Sequence, residues 1–280
     1  MISVKVYEVG PRDGLQALNY IVDTDTKKQL IQSLYDAGIE TVEEASFVHP
    51  KLVPNMADAE DVVTGKGSAL VLNKRGYDRA KAAGVEKINI VLSPCETFNM
   101  KNMNATHTEL VLRYRTFMLG VPKENVRVYI SMAFGSPYSG LTSDNQIIKC
   151  IRDAKMFGDT IVFADTVGCA DRLQIAAWAE YAHKEGLNVA LHLHHKGDEA
   201  DPLSMVRAGI FSGITEFDTS IGGLGGCPFV EDSGANLATE TLVSHLKAWG
   251  VECNVDEDKL QQALKITREI KRRRGNESNG

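Results

Sequence analysis

Tyr7-Glu8-Val9-Gly10-Pro11-Arg12-Asp13-Gly14-Leu15-Gln16 is the stretch on which the reading of the chain turns. The apolar alternation from Ile2 to Val9 predicts a β-strand. Gly10-Pro11 ends it, because proline cannot donate to a sheet ladder and glycine breaks the pattern. A guanidinium and a carboxylate, Arg12 and Asp13, then stand side by side at the strand's carboxyl end. A polar surface turn with an internal ion pair would account for them. So would chemistry mounted on the end of a strand.

Strand-like and helix-like stretches alternate through the remaining sequence. Seven further strands are predicted over 39–46, 69–72, 87–92, 126–133, 160–164, 188–194 and 214–218. Helices are predicted between them: one capped by Thr24, then 56–64, 75–83, 106–119, one capped by Thr142, one opened by Asp171, 200–211 and 236–249. The stretch with Cys95, Phe98 and several asparagines reads as a loop, and a last helix is expected over 256–272 before a polar tail at 275–280. Eight strands alternating with helices in about 250 residues is the count of a (β/α)8 TIM barrel, here with an extra C-terminal helix. An open doubly wound sheet would carry its glycine-rich phosphate turn directly after the first strand. Here that turn contains a proline, and the glycine cluster follows the eighth strand instead. With no composition break to mark a linker, residues 1–280 are expected to form one barrel domain.

Composition narrows the class. The chain is 43% hydrophobic and 24% charged with a net charge of −6, values ordinary for a soluble globular protein and unsuited to a general binder of nucleic acid or membrane surface. The basic run Lys271-Arg272-Arg273-Arg274 reads as a solvated chain end. Five widely spaced cysteines without a Cys-x-x-Cys pair fit a reducing compartment. No apolar run approaches the roughly 18 residues of a membrane span. Met1 leads directly into the first strand, and a cytoplasmic protein is the expectation.

In a barrel, the carboxyl ends of the strands meet at one face. Arg12, Asp13, Glu43, Asp165, His192, His194 and the loop around Cys227 would therefore converge. In His192-Leu193-His194, positions i and i+2 project to the same side of a strand. The two imidazoles are either satisfied core histidines or, with a carboxylate from another strand, ligands of a divalent ion. Adding Asp13 and Asn236 gives a mixed nitrogen and oxygen set that suits Mg²⁺ or Mn²⁺ better than Zn²⁺. The loop Gly222-Gly-Leu-Gly-Gly-Cys227-Pro228 lets backbone approach a ligand closely. Its cysteine is either a buried filler or a proton donor over the site.

Glu8-Val-Gly-Pro-Arg-Asp-Gly-Leu-Gln16, Ser46-Phe-Val-His-Pro-Lys-Leu-Val-Pro54, Asp165-Thr-Val-Gly168, Gly223-Leu-Gly-Gly-Cys-Pro228 and Asn236-Leu-Ala-Thr-Glu240 occur in this order. Together they resemble the 3-hydroxy-3-methylglutaryl-CoA (HMG-CoA) lyase family, from about Val4 to the last helix. The resemblance implies a TIM-barrel carbon–carbon lyase acting on an acyl-CoA to give acetyl-CoA and acetoacetate. It makes Asp13, His192, His194 and Asn236 ligands of Mg²⁺ or Mn²⁺, and it puts Arg12 and Gln16 on the substrate. Glu43 and Asp165 would line the pocket and orient the reacting groups, and a histidine such as His194 or a carboxylate would act as base. Cys227 would transfer a proton. Members often pair, so a homodimer is expected. One departure stands out: the family follows His-x-His with Asp-Thr, whereas this chain reads His194-His195-Lys196. That string is closer to the related 4-hydroxy-2-oxoacid aldolases, which together with acyl-CoA condensing enzymes are the alternative. Lys196 is a solvated loop lysine or a partner for a carboxylate or phosphate. A barrel that has lost catalysis is a third reading, against which the retained charged residues count.

Overall fold

A computed structural model describes residues 2–195, 202–225 and 234–277. Its centre is a closed ring of eight parallel strands: β1 (Lys5–Glu8), β2 (Thr41–Ser46), β3 (Ser68–Leu70), β4 (Lys87–Leu92), β5 (Val126–Ser131), β6 (Thr160–Asp165), β7 (Asn188–His195) and β8 (Glu216–Thr219). Each strand pairs with the next in sequence, and β8 pairs with both β7 and β1 to close the ring. Around it lie α1 (Thr24–Asp36), α2 (Ala59–Val62), α3 (Lys74–Ala82), α4 (Glu96–Met103), α5 (His107–Met118), α6 (Asp144–Ala154), α7 (Arg172–Lys184), α8 (Pro202–Phe211), α9 (Thr239–Ala248) and a long α10 (Glu257–Glu277). The fold is the expected (β/α)8 barrel with a C-terminal helix.

Alternation along each strand divides the apolar and polar residues between two layers. In β5, Val126, Val128 and Ile130 are buried on one parity, while Arg127, Tyr129 and Ser131 occupy the other. The first set belongs to the apolar layer under the helices, where Phe134 stacks on Trp178 at 5.1 Å. The second set faces the barrel interior. Arg127 on β5 reaches Asp218 on β8, and Tyr7 on β1 reaches Asn89 on β4, contacts that only side chains crossing the ring can make. Barrel interiors are normally filled with Val, Ile and Leu. This one holds a hydrogen-bonded polar cluster.

Several local expectations are corrected. The asparagine-rich stretch is helix α4, with Phe98 and Met103 buried and Asn104 ending it at φ +46°. Tertiary burial overrides its weak propensity. Asp23 rather than Thr24 caps α1, accepting from the Thr26 N–H at 2.9 Å. Ser143 rather than Thr142 caps α6 in a box with Gln146, because the Thr142 hydroxyl is committed to the Met132 carbonyl. Asn236 does not open a helix. It lies in β9 (Ala235–Asn236), antiparallel to β7 and opposite His194, and α9 starts at Thr239. The tail expected from 275 is helical through Glu277: Gly275 costs a helix about 1 kcal/mol but does not bar it.

Gly38 ends α1 at φ +88°, and a Cβ there would sit 2.5 Å from the Asn254 carbonyl oxygen. Both the left-handed backbone and the close approach require glycine. Gly38→Ala is expected to lower stability by more than about 1 kcal/mol, read as a lower urea midpoint at unchanged m-value. An unchanged midpoint would contradict it.

Candidate active site

The site begins with the turn after β1. Residues Gly10–Gly14 form one π-helical turn in which the N–H groups of Arg12, Asp13 and Gly14 all point at the Val9 carbonyl, at 3.1, 2.7 and 3.4 Å. Pro11 fits because the first turn of a helix leaves its N–H groups unused. Fully buried Glu8 holds this turn from below. It accepts from the N–H of Gly10 (2.8 Å), the N–H of Ile221 (2.9 Å) and the Thr239 hydroxyl (2.5 Å). One carboxylate thus ties the β1 turn to the loop after β8 and to the start of α9.

Arg12 is buried and saturated with anions. Its Nε donates to Glu43 Oε2 at 2.5 Å and its Nη1 to Asp13 Oδ1 at 2.7 Å. Burial alone would lower its pKa, but Glu43 and Asp13 outweigh that and raise it, so it stays a cation. Glu43 also accepts from Asn89 Nδ2 at 2.7 Å, and burial raises its pKa despite Arg12. Asp13 behaves oppositely: burial would raise it, but Arg12 and the two histidines bring it down.

His192 and His194 project to the same side of β7, with their Nε2 atoms 3.0 Å apart. One donor atom from each lies within 4.8 Å of a carboxylate oxygen of Asp13. Asn236 completes the group, donating from Nδ2 to Asp13 Oδ2 at 2.9 Å, while its buried Oδ1 has no hydrogen-bond partner among the described residues. Gly225, at φ +107°, lets the backbone of the loop pass close by, since a Cβ there would stand 2.5 Å from Asn236 Nδ2. Two imidazoles, a carboxylate and an orphaned amide oxygen form a donor set that fits a hard divalent cation.

The cluster opens into a cavity of about 740 Å³ whose lining includes Arg12, Asp13, Gln16, His192 and His194 together with the apolar Leu52 and Phe98. Gln16 Nε2 lies 3.5 Å from Asp13 Oδ1. Glu43 does not line the cavity; it stands behind Arg12. The Asp165 carboxylate is not in the lining either, because the N–H groups of Cys169 and Ala170 take its two oxygens, both at 2.8 Å. Its neighbours Ala164 and Thr166 are in the lining. Cys227 and Lys196 lie outside the described residues. Sequence reading overlooked Glu8 and the interior trio Arg127, Tyr129 and Asp218. Charges alternating with apolar residues in β5 and β8 were the available signal.

The closed barrel with a histidine- and carboxylate-bearing mouth defines the class, a TIM barrel with a candidate divalent-metal site at the carboxyl ends of its strands. The HMGL-like family matches residues 3–267, and the chain belongs to it. It is 36% identical over 275 residues to the hydroxymethylglutaryl-CoA lyase of Bacillus subtilis, covering 94% of this chain and 91% of that one. It is 35% identical to the mitochondrial enzyme of Arabidopsis thaliana over 92% of this chain, which spans 57% of the plant protein's length. Among solved structures, an HMG-CoA lyase of Acinetobacter baumannii in complex with coenzyme A and 3-methylmalate superposes with a TM-score of 0.87 at 31% identity, covering 93% of this chain and 89% of that one.

Burial pushes the Glu8 carboxyl up from 4.5 to about 7, outweighing the hydrogen bonds from Thr239, Ile221 and Gly10. The folded state therefore holds this proton more tightly than the unfolded chain does. The stability it contributes is complete below about pH 4.5 and is lost as pH rises through 7. Glu8→Gln should gain on the wild type between pH 4.5 and 8 by up to about 3 kcal/mol, measured by urea unfolding at each pH. A constant difference across that range would refute the raised value.

Proposed function

We propose that this protein cleaves HMG-CoA, or a closely related 3-hydroxy-3-substituted acyl-CoA, releasing acetyl-CoA and acetoacetate from the parent substrate. The observation that carries the reading is the meeting of Arg12, Asp13, His192 and His194 in one cavity, from strands far apart in sequence. Family membership and similarity to named HMG-CoA lyases support it.

Asp13, His192, His194 and Asn236 would hold Mg²⁺ or Mn²⁺. When bound, such an ion supplies a Lewis acid that acidifies the C3 hydroxyl. The hydroxyl proton passes to an imidazole or carboxylate beside the site; His194 could take that role only if it were not itself holding the ion. The C2–C3 bond then breaks, its electron pair moving onto the acetyl thioester as an enolate while C3 becomes a ketone. Arg12 faces the cavity as a permanent cation and stabilises the enolate oxygen. Glu43 aims Arg12 by holding its Nε, leaving the rest of the guanidinium for Asp13 and the substrate. Gln16 contributes a polar contact at the same wall. Asp165 shapes the turn that presents Thr166. Proton return to C2 comes from Cys227 or water. The His194-His195-Lys196 string favours the aldolase as a second reading, which would release pyruvate instead.

Arg12→Gln is expected to lower kcat by about 100- to 1,000-fold, and chelation should abolish turnover until Mg²⁺ or Mn²⁺ is returned. Release of acetyl-CoA from HMG-CoA, followed against pyruvate release from hydroxy-oxoacids, checks the substrate class. Undiminished turnover in Arg12→Gln would refute the role given to Arg12.

A further inference from the structure

We infer that Asp218, held by Arg127 and Tyr129, is a positioning residue that keeps His192 as the Nδ1–H tautomer and so reserves its Nε2 lone pair for a cation. The inference rests on the metal reading above and deepens it. The ladder of β7 and β8 places Asp218 directly beside His192. Asp218 Oδ2 lies 3.3 Å from His192 Nδ1, and that buried nitrogen has no aligned hydrogen-bond partner among the described residues. Nε2 points the other way, to His194 Nε2 at 3.0 Å and the Asp13 cluster.

The carboxylate is itself prepared for this task. Asp218 is 2% exposed, and both of its oxygens are engaged. Arg127 Nη2 donates to its Oδ1 at 2.5 Å, and the Tyr129 hydroxyl donates to its Oδ2 at 2.7 Å. Both neighbours use the carboxyl oxygens as acceptors. An acceptor beside Nδ1 obliges that nitrogen to carry the proton. Arg127 is fixed in turn by Glu216 and by stacking over the Tyr7 ring at 3.7 Å. This explains charges inside a barrel where aliphatic side chains would pack more simply: they carry tautomer control from β5 and β8 to the β7 ligand. Carboxylate partners of ligating histidines commonly matter about 10- to 100-fold in metal affinity.

Long-range ¹H–¹⁵N spectra of ¹⁵N-histidine-labelled, metal-free protein read the tautomer directly, and Mn²⁺ titration followed by EPR reads affinity. In the wild type, Nδ1 of His192 should be protonated and Nε2 bare. Asp218→Asn should lose that preference and bind Mn²⁺ about 10- to 100-fold more weakly. Asp218→Glu should restore part of both. If Asp218→Asn fails to fold because Arg127 is left unpaired, the double variant Arg127→Gln/Asp218→Asn removes both charges and should show the same two losses. Tyr7→Phe disturbs the same interior cluster without touching Asp218, and should change neither. A wild-type His192 protonated on Nε2, or Asn variants with wild-type tautomer and affinity, would overturn the inference. Wild-type protein with the expected tautomer but no Mn²⁺ binding would instead overturn the metal reading, along with the purpose assigned to Asp218 here.

Discussion

A buried guanidinium needs anions around it, and that requirement organises the mouth of this barrel. Arg12 is 6% exposed, and its contacts with Glu43 and Asp13 are short. Removing one member of such a set leaves an uncompensated buried charge at a cost of about 3–5 kcal/mol. The positions of β1 and β2 are therefore coupled through a single side chain. Because Asp13 serves Arg12, Asn236 and the histidines at once, the same demand draws β7 and β9 to the site.

The pattern repeats one layer down. Arg127 answers Asp218 and Glu216, the Tyr7 hydroxyl and the Asn89 amide both hydrogen-bond to the Ser68 hydroxyl, and Glu43 joins the two layers through Asn89. Half-satisfied polar groups in a low-dielectric interior are costly, so a cluster of this kind holds only if nearly every member is paired. The exceptions are informative. Among the described residues, the buried side-chain atoms without partners include Asn236 Oδ1, whose amide already donates to Asp13 in the candidate metal site. Where a fold leaves polar atoms unanswered in an otherwise satisfied region, a ligand is the economical explanation.

Strand order and the barrel class were legible because a parallel ring needs a repeating strand–helix sequence with glycines closing the helices, and Gly38, Gly84 and Gly186 do that here at positive φ. Asp13 and the two histidines were legible as a group for a related reason. A strand-end charge after Gly10-Pro11 and a His-x-His pair have few places to go except the carboxyl-end face. Helix α4 was not legible, since its burial depends on the neighbouring β5 loop with Met132 and Tyr138 rather than on its own periodicity. Asn236, expected as a metal ligand, was placed in the wrong element. Its segment takes a strand conformation by pairing antiparallel with the end of β7 at His194 and His195.

By itself, then, the order of residues determined the ring of strands, the face on which chemistry collects and the side chains delivered there, because alternation and turn chemistry act over a few positions. Tertiary structure alone decided how those side chains divide the work. Asp165 is spent on its own turn and Glu43 stands behind Arg12, while Glu8 and Asp218, unremarkable in sequence, hold the loops and ligands in place. Hydrogen-bond partners more than 200 positions apart, such as Glu8 with Ile221 and Asp13 with Asn236, are set by closure of the barrel. No local pattern carries that information.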